Sequence, residues 1–255
     1  MPVAAATPLY ADWTFWSTII ALAAFVVSVL PYVIRFLRPA RLDVDLHQTL
    51  SINHKVGNPG INAHIRLQNV GGSDAKVTGM TLKIIRDGVH LVTINAKTFM
   101  PNNGTNTQGI IFTPFLLKAG DEWAQIVGFW SQPSREDERT LRGAESALRN
   151  NIAEQQMPAN ALQNRLPIRA DRALVDPLMA LFNRRFIWVP GVYEIELEVQ
   201  TVPAGVARKQ SFRFTLFESD SDSLRDVTQD YATGAGIYFN NIARPEYVFI
   251  EISKA

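Results

Sequence analysis

Four histidines, His47, His54, His64 and His90, are the side chains best suited to metal or proton chemistry, and the first three fall within eighteen residues. Alternating patterns over 42–52 and 61–69 place His47 and His64 on neighbouring predicted strands, where Asp43 or Asp45 would complete a metal-binding set. Yet the spacing matches no ligand motif, and His54 and His90 adjoin predicted turns. The residues therefore read as ordinary strand and surface histidines, and no metal is assigned.

Carboxylates recur in two groups. Asp43 and Asp45 share one strand face, as do Glu194, Glu196 and Glu198. Paired carboxylates can divide acid and base roles, but regular alternation with apolar residues is the pattern of a solvated strand face. Gly71-Gly72 and Gly234-Ala235-Gly236 lack the strand–glycine–helix setting and the lysine of a phosphate-binding loop, and they read as turns. No G-x-S-x-G element accompanies any serine. Asn103-Gly104-Thr105 fits a glycosylation sequon, which a cytoplasmic domain would not use. The absence of cysteine excludes disulfides, thiolate nucleophiles and cysteine-ligated zinc or iron–sulfur clusters. No catalytic, cofactor-binding or metal-ligating residue is assigned, and no cofactor is expected.

The sharper functional signal is a run of arginines. Between Ser134 and Arg185 lie Arg135, Arg139, Arg142, Arg149, Arg165, Arg169, Arg172, Arg184 and Arg185. Ser134, followed three residues later by Asp137, resembles a capping box. Leu141, Ala144, Leu148 and Ile152 then recur at helical spacing, which predicts an amphipathic helix over 135–156. Asp176-Pro177 predicts the cap and first position of a short helix covering Leu178, Leu181 and Phe182. A helical excursion of this length from a β body is a natural binding surface at 134–185, for a protein partner or, ranked below it because acidic residues dilute the arginines, a membrane surface; the plainer alternative is a lid packed over an exposed sheet face.

The elements around it are strands. LDVDLHQTLSI from Leu42 and INAHIRLQN from Ile61 alternate, separated by a loop at 54–60. Val77–Ile85 and Val89–Ala96 flank Arg86-Asp87-Gly88, a hairpin signal. A three-residue loop pairing Leu82 with Val92 and Met80 with Ile94 joins the apolar sets better than a two-residue turn does. Further strands are predicted over 109–117, with Pro114 forcing an edge or bulge, and over 121–130. Tyr193–Val199 and Phe212–Leu216 follow, and 247–252 is the last. The opening of the body, from Leu42 through Ala96 with its Asn-Val-Gly-Gly turn, resembles immunoglobulin-like or fibronectin-like sandwiches in strand spacing, without the Cys…Trp…Cys pattern of true immunoglobulin domains. The expected body is thus a β-sandwich over 42–255 with a helical insertion at about 134–185.

What holds this body in place is legible near the N-terminus. After a short tail, 1–12, the stretch Trp13–Ile34 has 22 residues without a charge, about 33 Å of helix, enough for a hydrocarbon layer of about 30 Å. The helix is expected to run over 13–37. Trp13, Trp16 and Tyr32 fall toward its ends, where headgroup-level aromatics belong. A signal peptide competes, but no Lys or Arg precedes the run and no cleavage motif follows it. Arg35, Arg38 and Arg41 on the C-terminal side, against Asp12 on the other, place the body in the cytoplasm by the positive-inside rule. Phe15, Phe25 and the small residues Ala21, Ala23 and Ala24 allow self-association into a homo-oligomer. A net charge of +1 gives no case for nucleic acid as partner. The expectation is a single-pass, membrane-anchored, non-catalytic accessory or scaffold protein. The alternatives are a tethered sensor or ligand-binding module and, behind that, a hydrolytic enzyme whose residues meet only in three dimensions.

Overall fold

The computed structural model describes residues 13–101, 109–156, 168–240, 244 and 246–255, without the side chains of residues 35 and 36. The N-terminal tail, the sequon at 103–105, Arg165 and most of the irregular stretch after Gln156 lie outside the described residues.

Helix α1, Trp13–Leu37, is the apolar run, with Pro31 inside it. None of its span from Trp13 to Ile34 is buried in the body, and it is long and apolar enough to cross a membrane, a test of length and composition that a signal sequence also passes. The body is a mostly antiparallel sheet. Its strands are β1 (Leu42–Lys55), β2 (Asn58–Asn69), β3 (Ala75–Arg86), β4 (Val89–Met100), β5 (Ile110–Ile111), β6 (Phe115–Leu117), β7 (Glu122–Trp130), β8 (Gly191–Val202), β9 (Arg208–Leu216), β10 (Tyr247–Glu251) and β11 (Ser253–Lys254). The hydrogen-bonded order is β10-β1-β2-β7-β4-β3-β8-β9-β11, with β5 on β4 and β6 on β3.

The sheet nearly closes on itself. β10 pairs with β1, Thr49 opposite Glu251, and two residues later β11 pairs with β9, Ser253 opposite Arg213. Ile252 N–H, between them, reaches Gln48 O at 2.7 Å. One segment thus bridges the first strand and the ninth, and lower down Arg208 Nε spans the same seam to Leu42 O at 3.0 Å. An immunoglobulin-like sandwich has two separate sheets, whereas this ladder is continuous, so the sequence expectation yields to a near-barrel. Strict alternation is common to both architectures and cannot tell them apart; the bridging strand can.

Alternation does decide what lies inside. Ile61, Ala63, Ile65 and Leu67 of β2, Leu82 and Ile84 of β3, and Ile195 and Leu197 of β8 are all fully or almost fully buried. Their neighbours in sequence face outward, where Lys83 meets Glu196 at 3.2 Å and Lys209 meets Glu198 at 3.2 Å. The β3–β4 hairpin corrects the expected register. The turn has two residues, Asp87 and Gly88, both at positive φ, and a bulge then sets Leu82 opposite Ile94 and Ile84 opposite Val92. The extra residue in β4 restores the apolar match that the two-residue turn alone would lose. Likewise the stretch 54–60 is not a loop. β1 and β2 continue into a two-residue turn at Val56-Gly57, both at positive φ, and Val56 is held there by burial.

Helices cover one end of the barrel. α2 (Arg135–Gln156) has the expected limits, and Ser134 Oγ accepts Asp137 N–H at 3.1 Å. α3 (Arg172–Arg185) begins four residues before the expected cap, with Asp171 at its N-cap position and Pro177 inside. α4 (Glu218–Asp226) and a 3₁₀ segment over Val227–Thr233 complete the layer. Leu148, Leu178, Leu181, Phe182, Tyr231 and Ile237 form its own small core with Val56 of the β1–β2 turn. The layer is a cap over the barrel's end, at the tip of the β1–β2 hairpin, and α1 leaves from the opposite end. β1 is about 45 Å long at about 3.3 Å per residue, and ordinary barrel tilt reduces that to about 35 Å between the two ends.

Candidate functional site

At the capped end a groove of about 660 Å³ runs between α2 and the barrel. Its outer wall is the α2 face carrying Glu138, Arg142, Glu145 and Arg149, and its floor is Lys55, Asn58 and Arg185 with Trp130 at the edge. Helical spacing explains the wall: i and i+4 residues lie on one face, so Arg142 Nε reaches Glu138 at 2.6 Å and Arg149 reaches Glu145 at 2.9 Å. The neighbouring face of α2, about a quarter-turn round the helix, buries Leu148 and Ile152 and so sets the orientation of the charged face.

The floor is held more firmly. Asn58 Nδ2 donates to Ser131 O at 2.9 Å, and its Oδ1 accepts from Ser131 Oγ at 2.6 Å and from Arg185 Nη2. Arg185 is only 12% exposed in its side chain, with Asp137 at 3.9 Å. Burial draws its guanidinium pKa downward against the pull of Asp137. Arg184 is the nearer partner of Asp137. Lys55 Nζ donates to Ile237 O at 2.7 Å, and Arg149 lies over the Tyr238 ring at 4.8 Å.

The lining contains four cations against two carboxylates, both already paired with arginine, and no histidine. Its apolar members, Trp130, Pro133 and Leu141, form a short patch rather than an enclosed pocket.

The histidines are dispersed. His47 and His64 do meet across strands, ring centroids 6.3 Å apart, but Asp45 is taken by Arg66 at 3.3 Å and Lys254 at 3.7 Å. No metal-competent group of His, Asp or Glu exists among the described residues. His90 contacts Thr93 Oγ1 at 3.1 Å on the surface, and His54 is buried beneath the cap. Gly234 and Gly236 have positive φ, as turn glycines do. Of the arginine run, Arg142, Arg149 and Arg185 line the groove. Lys55, Asn58 and Trp130 were not anticipated there, because they come from segments 80 or more residues earlier or from a strand end, and only the cap brings them together. No protein-family model and no curated protein matches this sequence.

Proposed function

We propose that the chain is a single-pass, membrane-anchored, non-catalytic accessory or scaffold protein, its body cytoplasmic, that binds another protein through the groove on its helical cap. The observation that carries this reading is the placement of a cation-rich, largely open groove at the end of the barrel opposite the apolar helix. That arrangement holds the groove about 35 Å from the point where α1 departs, clear of headgroups. The excess of cations suits an acidic segment of a partner, with Trp130 and Leu141 as apolar contacts.

Deleting 134–185 is a poor test, since Leu178, Leu181 and Phe182 are buried in the cap core. The better pair is Arg142→Glu with Arg149→Glu in the intact chain, purified in mild detergent after cross-linking, with mass spectrometry of stoichiometric partners. A partner retained by the parent and lost from the variant at unchanged thermal stability supports the reading. A partner retained equally by both removes the groove from it. N-terminal sequencing of the mature chain and protease protection in sealed vesicles test the anchor and the side of the membrane.

A further inference from the structure

We propose that the barrel end from which α1 leaves is a docking face that seats on anionic lipid headgroups, holding the body upright on the bilayer; this rests on reading α1 as a membrane anchor. The connection between helix and barrel is short and rigid. Arg41 O accepts Val70 N–H at 2.8 Å, Pro39 O accepts Gly72 N–H at 3.3 Å, and Arg38 O accepts Ser73 Oγ–H at 2.8 Å. A Cβ on Gly71 would stand 2.4 Å from both Arg41 N and Pro39 O, so this turn is pressed directly onto the exit of the helix.

The turn also reaches alongside the helix itself. Val27, Leu30, Pro31 and Ile34 share a groove of about 690 Å³ with Val70 and Gly120. Val27 precedes Arg38 by about 16 Å of helix rise. The tips of the β2–β3 and β6–β7 turns therefore lie beside the last two turns of the apolar run, at the boundary between headgroups and acyl chains once α1 spans a bilayer.

The chemistry of the rim matches that position. Arg38, Arg41, Lys76, Lys118, Arg208 and Lys209 lie at this end, and the acids among them are Asp43, Asp74, Asp121 and Glu122, the last paired with Arg66. Asp74 is partly occupied by Ala119 N–H at 3.1 Å, while Lys209 is shared with Glu198. Among these cations protrude Val70, Leu116 and Val202, 51%, 56% and 59% exposed. Leu116 and Val202 flank Lys76 in one row across β6, β3 and β8. Apolar tips interleaved with lysine and arginine suit the boundary between headgroups and acyl chains, where the tips lose water and the cations meet phosphate.

The chain has no cysteine, so single spin labels can be placed cleanly in the full-length protein. Leu116→Cys and Val202→Cys report on the rim, and Val89→Cys, 63% exposed on the β3–β4 turn at the other end, is the control. The protein is reconstituted in phosphatidylcholine, with or without phosphatidylserine. The expected result is shielding of the two rim labels from a water-soluble nickel relaxant in the mixed bilayer, with the control label open. Lys76→Glu together with Lys118→Glu should abolish that shielding at unchanged thermal stability. Rim labels as open as the control in the mixed bilayer would overturn the docking face, and equal shielding in phosphatidylcholine alone would overturn its anionic character. Alkaline carbonate extraction distinguishes the two levels: release of the protein refutes the anchor, while retention with open rim labels refutes only the docking.

Discussion

His54 Nε2 donates to the carbonyl oxygen of Leu224 at 2.8 Å, tying β1 to α4 across 170 residues of sequence. Its Nδ1 accepts Gly57 N–H at 3.2 Å, so a single neutral tautomer satisfies both bonds. The ring lies 5.3 Å from Phe182 and 5.4 Å from Phe186. Burial holds its pKa below the ordinary value of 6.5. The unfolded chain therefore takes up a proton that the native chain refuses, and stability present above pH 6.5 is lost as the pH falls below it. Urea denaturation between pH 8 and pH 5 should show this decline in the parent and less of it in His54→Gln. Equal slopes would remove His54 as its source. His54→Ala should cost about 2–4 kcal/mol at neutral pH.

Two glycines of similar φ should respond differently to alanine. A Cβ at Gly57, φ +79°, meets Phe182 O at 2.6 Å, whereas at Gly88, φ +81°, it meets nothing within 4 Å. Gly88→Ala should cost about 1 kcal/mol, the left-handed strain alone. Gly57→Ala should cost at least about 3 kcal/mol, since α3 must also shift. Thermal melts of the two variants check the difference, and equal losses would mean that α3 yields easily.

Tyr231 is buried in the cap and Glu246 is half-buried, and Tyr231 OH and Glu246 Oε1 lack a hydrogen-bond partner among the described residues. Burial, with the nearby Glu246 charge, pushes the phenol upward, and burial raises the Glu246 carboxyl against the pull of Lys55. Removing the hydroxyl therefore loses no bond, and Tyr231→Phe should stay within about 0.5 kcal/mol of the parent. For Glu246 the native state binds the extra proton, so its contribution falls as pH rises through the raised pKa, opposite in sign to His54. Glu246→Gln should gain more stability at pH 8 than at pH 5, measured by urea denaturation.

The apolar helix contributes nothing to the body's core, since none of Trp13–Ile34 is buried. A chain beginning at Arg38 should elute as a soluble species without detergent, and its melting temperature should lie within a few degrees of the detergent-solubilised parent. Aggregation with loss of the melt would show that α1 packs on the body.

Local periodicity explains what the sequence made readable. α2 was legible because its cap and its apolar stripe act within a few turns, and the strands β2 and β8 because one face is buried along most of their length. The start of α3 was missed because Pro177, a favoured first residue, is tolerated inside the helix where Leu178, Leu181 and Phe182 pack. Neither the hairpin bulge nor the bridge from β1 to β9 has a local signature. The groove was half visible: its arginines follow α2, but Lys55, Asn58 and Trp130 join them only through tertiary packing.

The strand bridge has a consequence for how the protein is made. Thr49 emerges from the ribosome some 200 residues before Glu251, the residue it pairs with. At about 5–20 residues per second, β1 waits roughly 10–40 s with one edge unpaired. Ribosome-bound intermediates that already contain the β1–β2 hairpin thus expose a strand edge open to wrong pairing. A chaperone or early capture of α1 by the membrane would have the greatest effect in that interval.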